Sequence, residues 1–128
     1  MIKLKSRMSF LDSIGVVGSL SCAIHCLLFP VLPLMLPSFS VFSDTEWVHV
    51  FLVFSLAPLA LLAFYIGVRR HGQIKPIVVG GLGVIFLLSA VGTEHFDLHK
   101  FEKPLTVVGS FLLVFAHALN SRFSNKIK

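Results

Sequence analysis

Four long apolar runs, each closed at both ends by charge, organise the chain. No Asp, Glu, Lys or Arg stands in the 31 residues between Asp12 and Asp44, the 22 between Glu46 and Arg69, the 18 between Lys75 and Glu94, or the 18 between Lys103 and Arg122. A helix that crosses the hydrocarbon core of a bilayer needs roughly 17–25 such residues. The pattern therefore predicts four membrane-spanning helices, at about 9–36, 47–67, 76–92 and 104–121. The last two runs lie near the short limit, so their helices should stand upright or borrow flanking residues. Short connections make successive helices antiparallel neighbours. The predicted fold class is thus all-α, an integral membrane four-helix bundle formed by a single domain over residues 1–128.

Polar positions inside two of the runs are ordered. Asp12, Gly15, Ser19, Cys22 and Cys26 step by three, four, three and four, which places them on one helix face. Gly15 and Ser19 form a small-xxx-small pair that lets another helix approach closely. In the fourth run Thr106, Ser110, Leu113, His117 and Asn120 make a matching stripe. Gly80, Gly81 and Gly83 offer a close-packing surface on the third. Helices 1 and 4 are expected to face each other through their stripes. Thr93 to Lys103 reads as an outer loop rich in His and acid, and Arg69 to Lys75 as a basic inner turn. Trp47 opens the second helix as an interfacial anchor.

Composition agrees: 55% of residues are apolar and 13% charged, too apolar for a soluble domain of this length. The net charge of +5 would suit nucleic acid, but its distribution points to topology instead. Nine of eleven cations, including Lys3, Lys5, Arg7, Arg69, Arg70 and Lys75, fall on one side of the four spans, and five of six acids on the other. The cation-rich side is expected to be cytoplasmic, with both termini inside and the basic residues against anionic headgroups. Lys3, Lys5 and Arg7 resemble the leader of a signal peptide. The apolar run continues well past Cys22, however, so an uncleaved first helix is expected.

Within that first helix lies Cys22-Ala23-Ile24-His25-Cys26. Thiolates and imidazole are the donors that soft and borderline cations prefer, and this spacing brings two thiols and a ring nitrogen within reach of one ion. A lone Cys in a membrane helix is ordinarily a packing residue. Two in register with a His between them shift the balance towards a site. Pro30 removes the helical partner of the Cys26 carbonyl and Pro33 that of Phe29, leaving acceptors that need water, a side chain or an ion. A helical disulfide between Cys22 and Cys26 would be awkward.

His117 is an ionisable residue in a spanning helix and so a functional candidate, as a further ligand or a proton acceptor. Its bland alternative is a hydrogen bond across the bundle. Asn120 would orient His117 or act as a weaker ligand. Glu94, His95, His99 and, at the start of helix 2, His49 suggest a loose outer capture site, against the plain reading of a solvated loop. Asp12 reads as a cap or a partner for an inner-face cation, and His71 as solvated. No nucleotide-binding motif and no acid, base and nucleophile constellation appears, so an enzyme is not expected.

Gly15-x-x-Gly18-Ser19-x-x-Cys22-x-x-His25-Cys26, followed by Pro30 and Pro33, resembles the first helix of MerC-type mercury-resistance membrane proteins. His117-x-x-Asn120, followed by Arg122, resembles the end of the last helix in MerC-domain proteins. The resemblance implies a carrier in the bacterial inner membrane that takes up Hg(II) and passes it to a cytoplasmic acceptor. This chain departs from mercury-operon members by the His directly before its second Cys, and by having no second cysteine pair. A mixed sulfur and nitrogen site also suits Zn(II), Cu(I) or Cd(II).

The expected function is therefore heavy-metal transport using Cys22, Cys26, His25 and His117, with no tightly bound cofactor. One alternative is a membrane metal-binding or sensing subunit that does not transport. Another is a redox protein holding haem between His25 and His117. The expected partners are lipid, the metal ion and a cytoplasmic metal acceptor. Four short helices make a thin wall around a pathway, which leaves room for a homo-oligomer.

Overall fold

The structure, a computed structural model, describes residues 10, 12–18, 20, 21, 24, 35, 36, 38, 46–96 and 98–126, without the side chains of Glu46, Val48, His49, Glu94, His95 and His99. The described part is all-α. Residues 12–18 are helical (α1), as are residues 10, 20, 21 and 24. Three long helices follow: α2 (Glu46–His71), α3 (Lys75–Gly92) and α4 (His99–Lys126), with a 3₁₀ turn at Thr93–Phe96 between the last two. No strand occurs among the described residues. By length and composition α2, α3 and α4 can each cross a membrane. The extent of the first helix beyond the residues given above, with Pro30 and Pro33, lies outside the described residues.

Three predicted ends shift, for one reason. Helix 2 runs to His71 rather than 67, and the fourth helix starts at His99 and ends at Lys126 rather than spanning 104–121. A fall in hydropathy marks where the bilayer ends, whereas a helix ends where its backbone bonds do. Gly72 supplies that stop for α2. It takes a positive φ of 69°, and its N–H donates to the Val68 carbonyl at 2.8 Å. Most of the predicted outer loop is consequently helical. Pro104 sits inside α4, where it leaves only the Lys100 carbonyl without its helical donor. Pro76 instead falls at the start of α3, where a missing N–H costs nothing.

The helices pack through small residues. Val53, Ala57, Ala60 and Phe64 of α2, Val84 and Leu87 of α3, and Leu113 and Ala116 of α4 form one buried cluster. With no water to expel between helices inside lipid, close van der Waals approach is the main attraction, and Gly and Ala permit it. At the α3–α4 seam a Cβ on Gly83 would stand 2.9 Å from the Gly109 carbonyl, and the reverse also holds. Gly80 leaves room for the Phe64 ring. Gly81, predicted with them as part of the packing surface, takes no part in these contacts: among the described residues a Cβ there would meet nothing within 4 Å. Large apolar side chains point outward instead, among them Phe51, Phe54 and Tyr65 on α2, Ile85 on α3, and Phe111 and Phe115 on α4. On α1 the exposed apolar positions Phe10, Ile14, Val17 and Ile24 repeat every three to four residues or a multiple of that, on the face away from Asp12. Such surfaces would be a liability in water and suit contact with lipid.

Candidate functional site

The polar stripe of α4 faces inward along its whole length. Thr106, Ser110, Leu113, His117 and Asn120 are all buried. An apolar helix with one polar face has only the protein interior in which to satisfy it. Thr106 does so locally, its hydroxyl donating to the Glu102 carbonyl at 2.8 Å. His117 and Asn120 instead reach other helices.

Their main partner is Asp12 of α1. Asp12, His117 and Asn120 are 2%, 1% and 0% exposed, so the cluster they form is closed to solvent. Asn120 Nδ2 donates to both carboxylate oxygens of Asp12, at 2.9 Å to Oδ1 and 3.0 Å to Oδ2, and lies 3.5 Å from the Ala63 carbonyl. His117 Nδ1 lies 3.2 Å from Asp12 Oδ1. On the other side of Asn120, Oδ1 lies 3.0 Å from His71 Nε2, at the end of α2. His71 Nδ1 accepts the Gln73 backbone N–H at 3.1 Å, and the ring leans on Phe123 with centroids 5.6 Å apart.

Two glycines make room for this cluster. The ring atoms of His117 nearest to where a Gly15 Cβ would stand are Cε1 and Nε2, and any side chain there would overlap them. A side chain on Gly67 would overlap Asn120 Oδ1. Gly67 therefore does not end α2, as its place at the hydropathy boundary suggested. It clears the way for α4. Phe64 packs against the His117 ring with centroids 4.5 Å apart. A Cβ on Gly18 would stand 3.2 Å from Leu56 Cδ1 of α2, so α1 packs against both α2 and α4.

Two sequence readings change here. Among the described residues Asp12 is not a helix cap or a surface charge; it is the hub of a buried network. His71 is not merely solvated, because it bonds Asn120. Asn120, read as orienting His117 or as a weaker ligand, bonds Asp12 and His71 through its amide. Sequence could have pointed to Asp12 through its register, three residues before Gly15 on the inward stripe. For His71 there was no such signal, since a His in a basic turn is ordinarily wet.

Cys22, His25 and Cys26 lie outside the described residues, as do the side chains of His49, Glu94, His95 and His99. His95 falls in the 3₁₀ turn and His99 opens α4, so the pair does not share one helix. Among the described residues no group of three or more His, Cys, Asp or Glu is arranged to hold a metal ion. One nitrogen does stand ready: His117 Nε2 is buried and has no hydrogen-bond partner among the described residues.

A chain with three helices able to span a bilayer, lipid-suited outer faces and an ionisable cluster buried between helices belongs to the class of multi-pass membrane proteins. Its sequence matches the family described as MerC mercury resistance protein over residues 12–122. The match covers most of the chain, and the protein belongs to that family. The matched span opens on Asp12 and closes two residues beyond Asn120, so it encloses the cluster. No curated protein and no solved structure matches the chain.

Proposed function

We propose that this protein is a heavy-metal ion transporter of the bacterial inner membrane, moving Hg(II) or another soft or borderline cation inward. The observation that carries the proposal is the family match across residues 12–122, which contains Cys22, His25 and Cys26 in an uncharged run of helix-1 sequence. Cys22 and Cys26 bind the ion as thiolates, and His25 is an auxiliary ligand. His117 is a partner from α4, a role supported by its Nε2, buried and without a partner among the described residues. The helices form a four-helix bundle with both termini cytoplasmic, as the placement of nine of eleven cations favours. His49, Glu94, His95 and His99 serve as an outer capture surface.

Thiolates must lose their protons to bind, so loading the site releases protons. Transport is passive or coupled to that release. Cells expressing the protein should accumulate Hg(II) and become more sensitive to it, and Cys22→Ser or Cys26→Ser should abolish both effects. Unchanged accumulation in either variant would defeat the proposal. A second reading, a metal-binding or sensing subunit without transport, is favoured by one observation. The chain has only two cysteines and so lacks a second pair to receive the ion.

A further inference from the structure

The hydrogen-bond chain around Asp12 can be oriented from one donor that leaves no choice, the backbone N–H of Gln73. That N–H points at His71 Nδ1 at 3.1 Å, so Nδ1 accepts and the ring proton of neutral His71 sits on Nε2. Nε2–H then donates to the atom of Asn120 3.0 Å away, which must be the amide oxygen. This fixes the side-chain amide of Asn120, whose two ends are otherwise easily interchanged. Its NH₂ is thereby turned to Asp12, at 2.9 and 3.0 Å. A carboxylate only accepts, so the 3.2 Å contact of Asp12 Oδ1 with His117 Nδ1 requires the proton on Nδ1. In the neutral ring the lone pair is then on His117 Nε2, which is buried and without a partner among the described residues. A Cβ on Gly15 would overlap Cε1, Nε2 and Nδ1 together, so the backbone of α1 passes against the face of the His117 ring and leaves the in-plane lone pair of Nε2 to point alongside it.

We infer that Asp12 is a positioning residue that holds His117 in the Nδ1–H form, presenting Nε2 as a neutral nitrogen donor to the transported soft cation. The inference rests on the metal-transport reading for the identity of the ion. A carboxylate that accepts the far N–H of a ligating imidazole fixes its tautomer and orientation and makes its donor nitrogen more basic. The sealed surroundings serve the same end. Phe64 packs on the ring, and the absence of a side chain at Gly15 lets the ring lie against α1, so its orientation is held from two sides. Asn120 and His71 act one step further out, by keeping the Asp12 carboxylate aimed at Nδ1.

The test is ¹⁵N NMR of histidine-labelled full-length protein in nanodiscs, with the His117 signals assigned through a His117→Gln sample and Cd(II) as the probe ion. In the unaltered protein His117 should show a protonated Nδ1 and a bare Nε2, and Cd(II) should shift Nε2. Asp12→Asn should move the proton to Nε2, remove the shift and weaken Cd(II) binding by about 10–100-fold. A proton on Nε2 in the unaltered protein, or an Nε2 resonance unmoved by saturating Cd(II), would overturn the inference without any variant having to fold. Flux in sealed vesicles separates this inference from the transport reading. A Cd(II)-induced Nε2 shift without flux supports the role of Asp12 and removes transport. Cysteine-dependent flux that Asp12→Asn leaves unchanged, with Nε2 silent, removes the role of Asp12 and leaves transport standing.

Discussion

Along the first half of α4 the buried face meets α3 almost backbone to backbone, with the Cβ positions of Gly83 and Gly109 each 2.9 Å from the other's carbonyl oxygen and Leu87 and Leu113 filling the sides. Two turns further on, the same face meets α1 and α2 through polar atoms, Asp12 and His71 bonding His117 and Asn120. The first seam is non-directional. It sets a distance between helices and tolerates sliding as long as volume is conserved. The second seam is directional, because each donor has a particular acceptor and water is not at hand to replace it. The Gly seam thus brings helices together, while the polar cluster fixes the register of α1 against α2 and α4. A bundle held only by seams of the first kind would give a metal ligand on α4 no defined height relative to helix 1.

Substitutions should separate the two seams. The largest effect is expected for Asp12→Ala, which strands the Nδ1–H of His117 and the amide of Asn120 in the interior. A loss of about 3–5 kcal/mol is expected for removing one partner of such a buried pair, read by reversible unfolding in mixed micelles. Next comes Gly109→Val, which forces the helices apart at the Gly83 carbonyl. It should cost about 1–3 kcal/mol and leave the tautomer of His117 as it was. A change in that tautomer would show that the two seams are not separate. His71→Phe keeps the ring contact with Phe123 but removes the donor to Asn120 Oδ1. About 0.5–1.5 kcal/mol should be lost in the same assay. Smallest is Gly81→Ala, in open space on α3, which should stabilise the helix by about 0.5–1 kcal/mol. A destabilised Gly81→Ala protein would mean that α3 uses that face after all.

The inward direction of the α4 stripe was legible in the sequence because a spanning helix has only one place to put a polar face. All five positions assigned to the stripe are buried. The approach of another helix at Gly15 was legible for a similar reason, since a small residue in that register admits a neighbour. Asp12 was misread because a carboxylate close to a hydropathy boundary looks like a cap or an interfacial charge, and its partners lie more than a hundred residues away in the chain. Gly67 was read as punctuation and proved to be clearance for Asn120. The stretch from Thr93 to Lys103 was taken for a loop because polarity and backbone order were treated as one signal. In this protein helices continue past the apolar runs, as His99 to Lys103 and Arg122 to Lys126 do in α4.

The proposed carriage of a soft cation across the membrane by Cys22 and Cys26 is open to direct measurement. The direct measurement is Hg(II) flux into sealed proteoliposomes, with Zn(II), Cu(I) and Cd(II) for comparison, for the unaltered protein and for the double variant Cys22→Ser, Cys26→Ser. Flux of at least one of these ions that disappears in the double variant is the predicted result. Flux indistinguishable from protein-free vesicles, or flux that survives loss of both thiols, would contradict it.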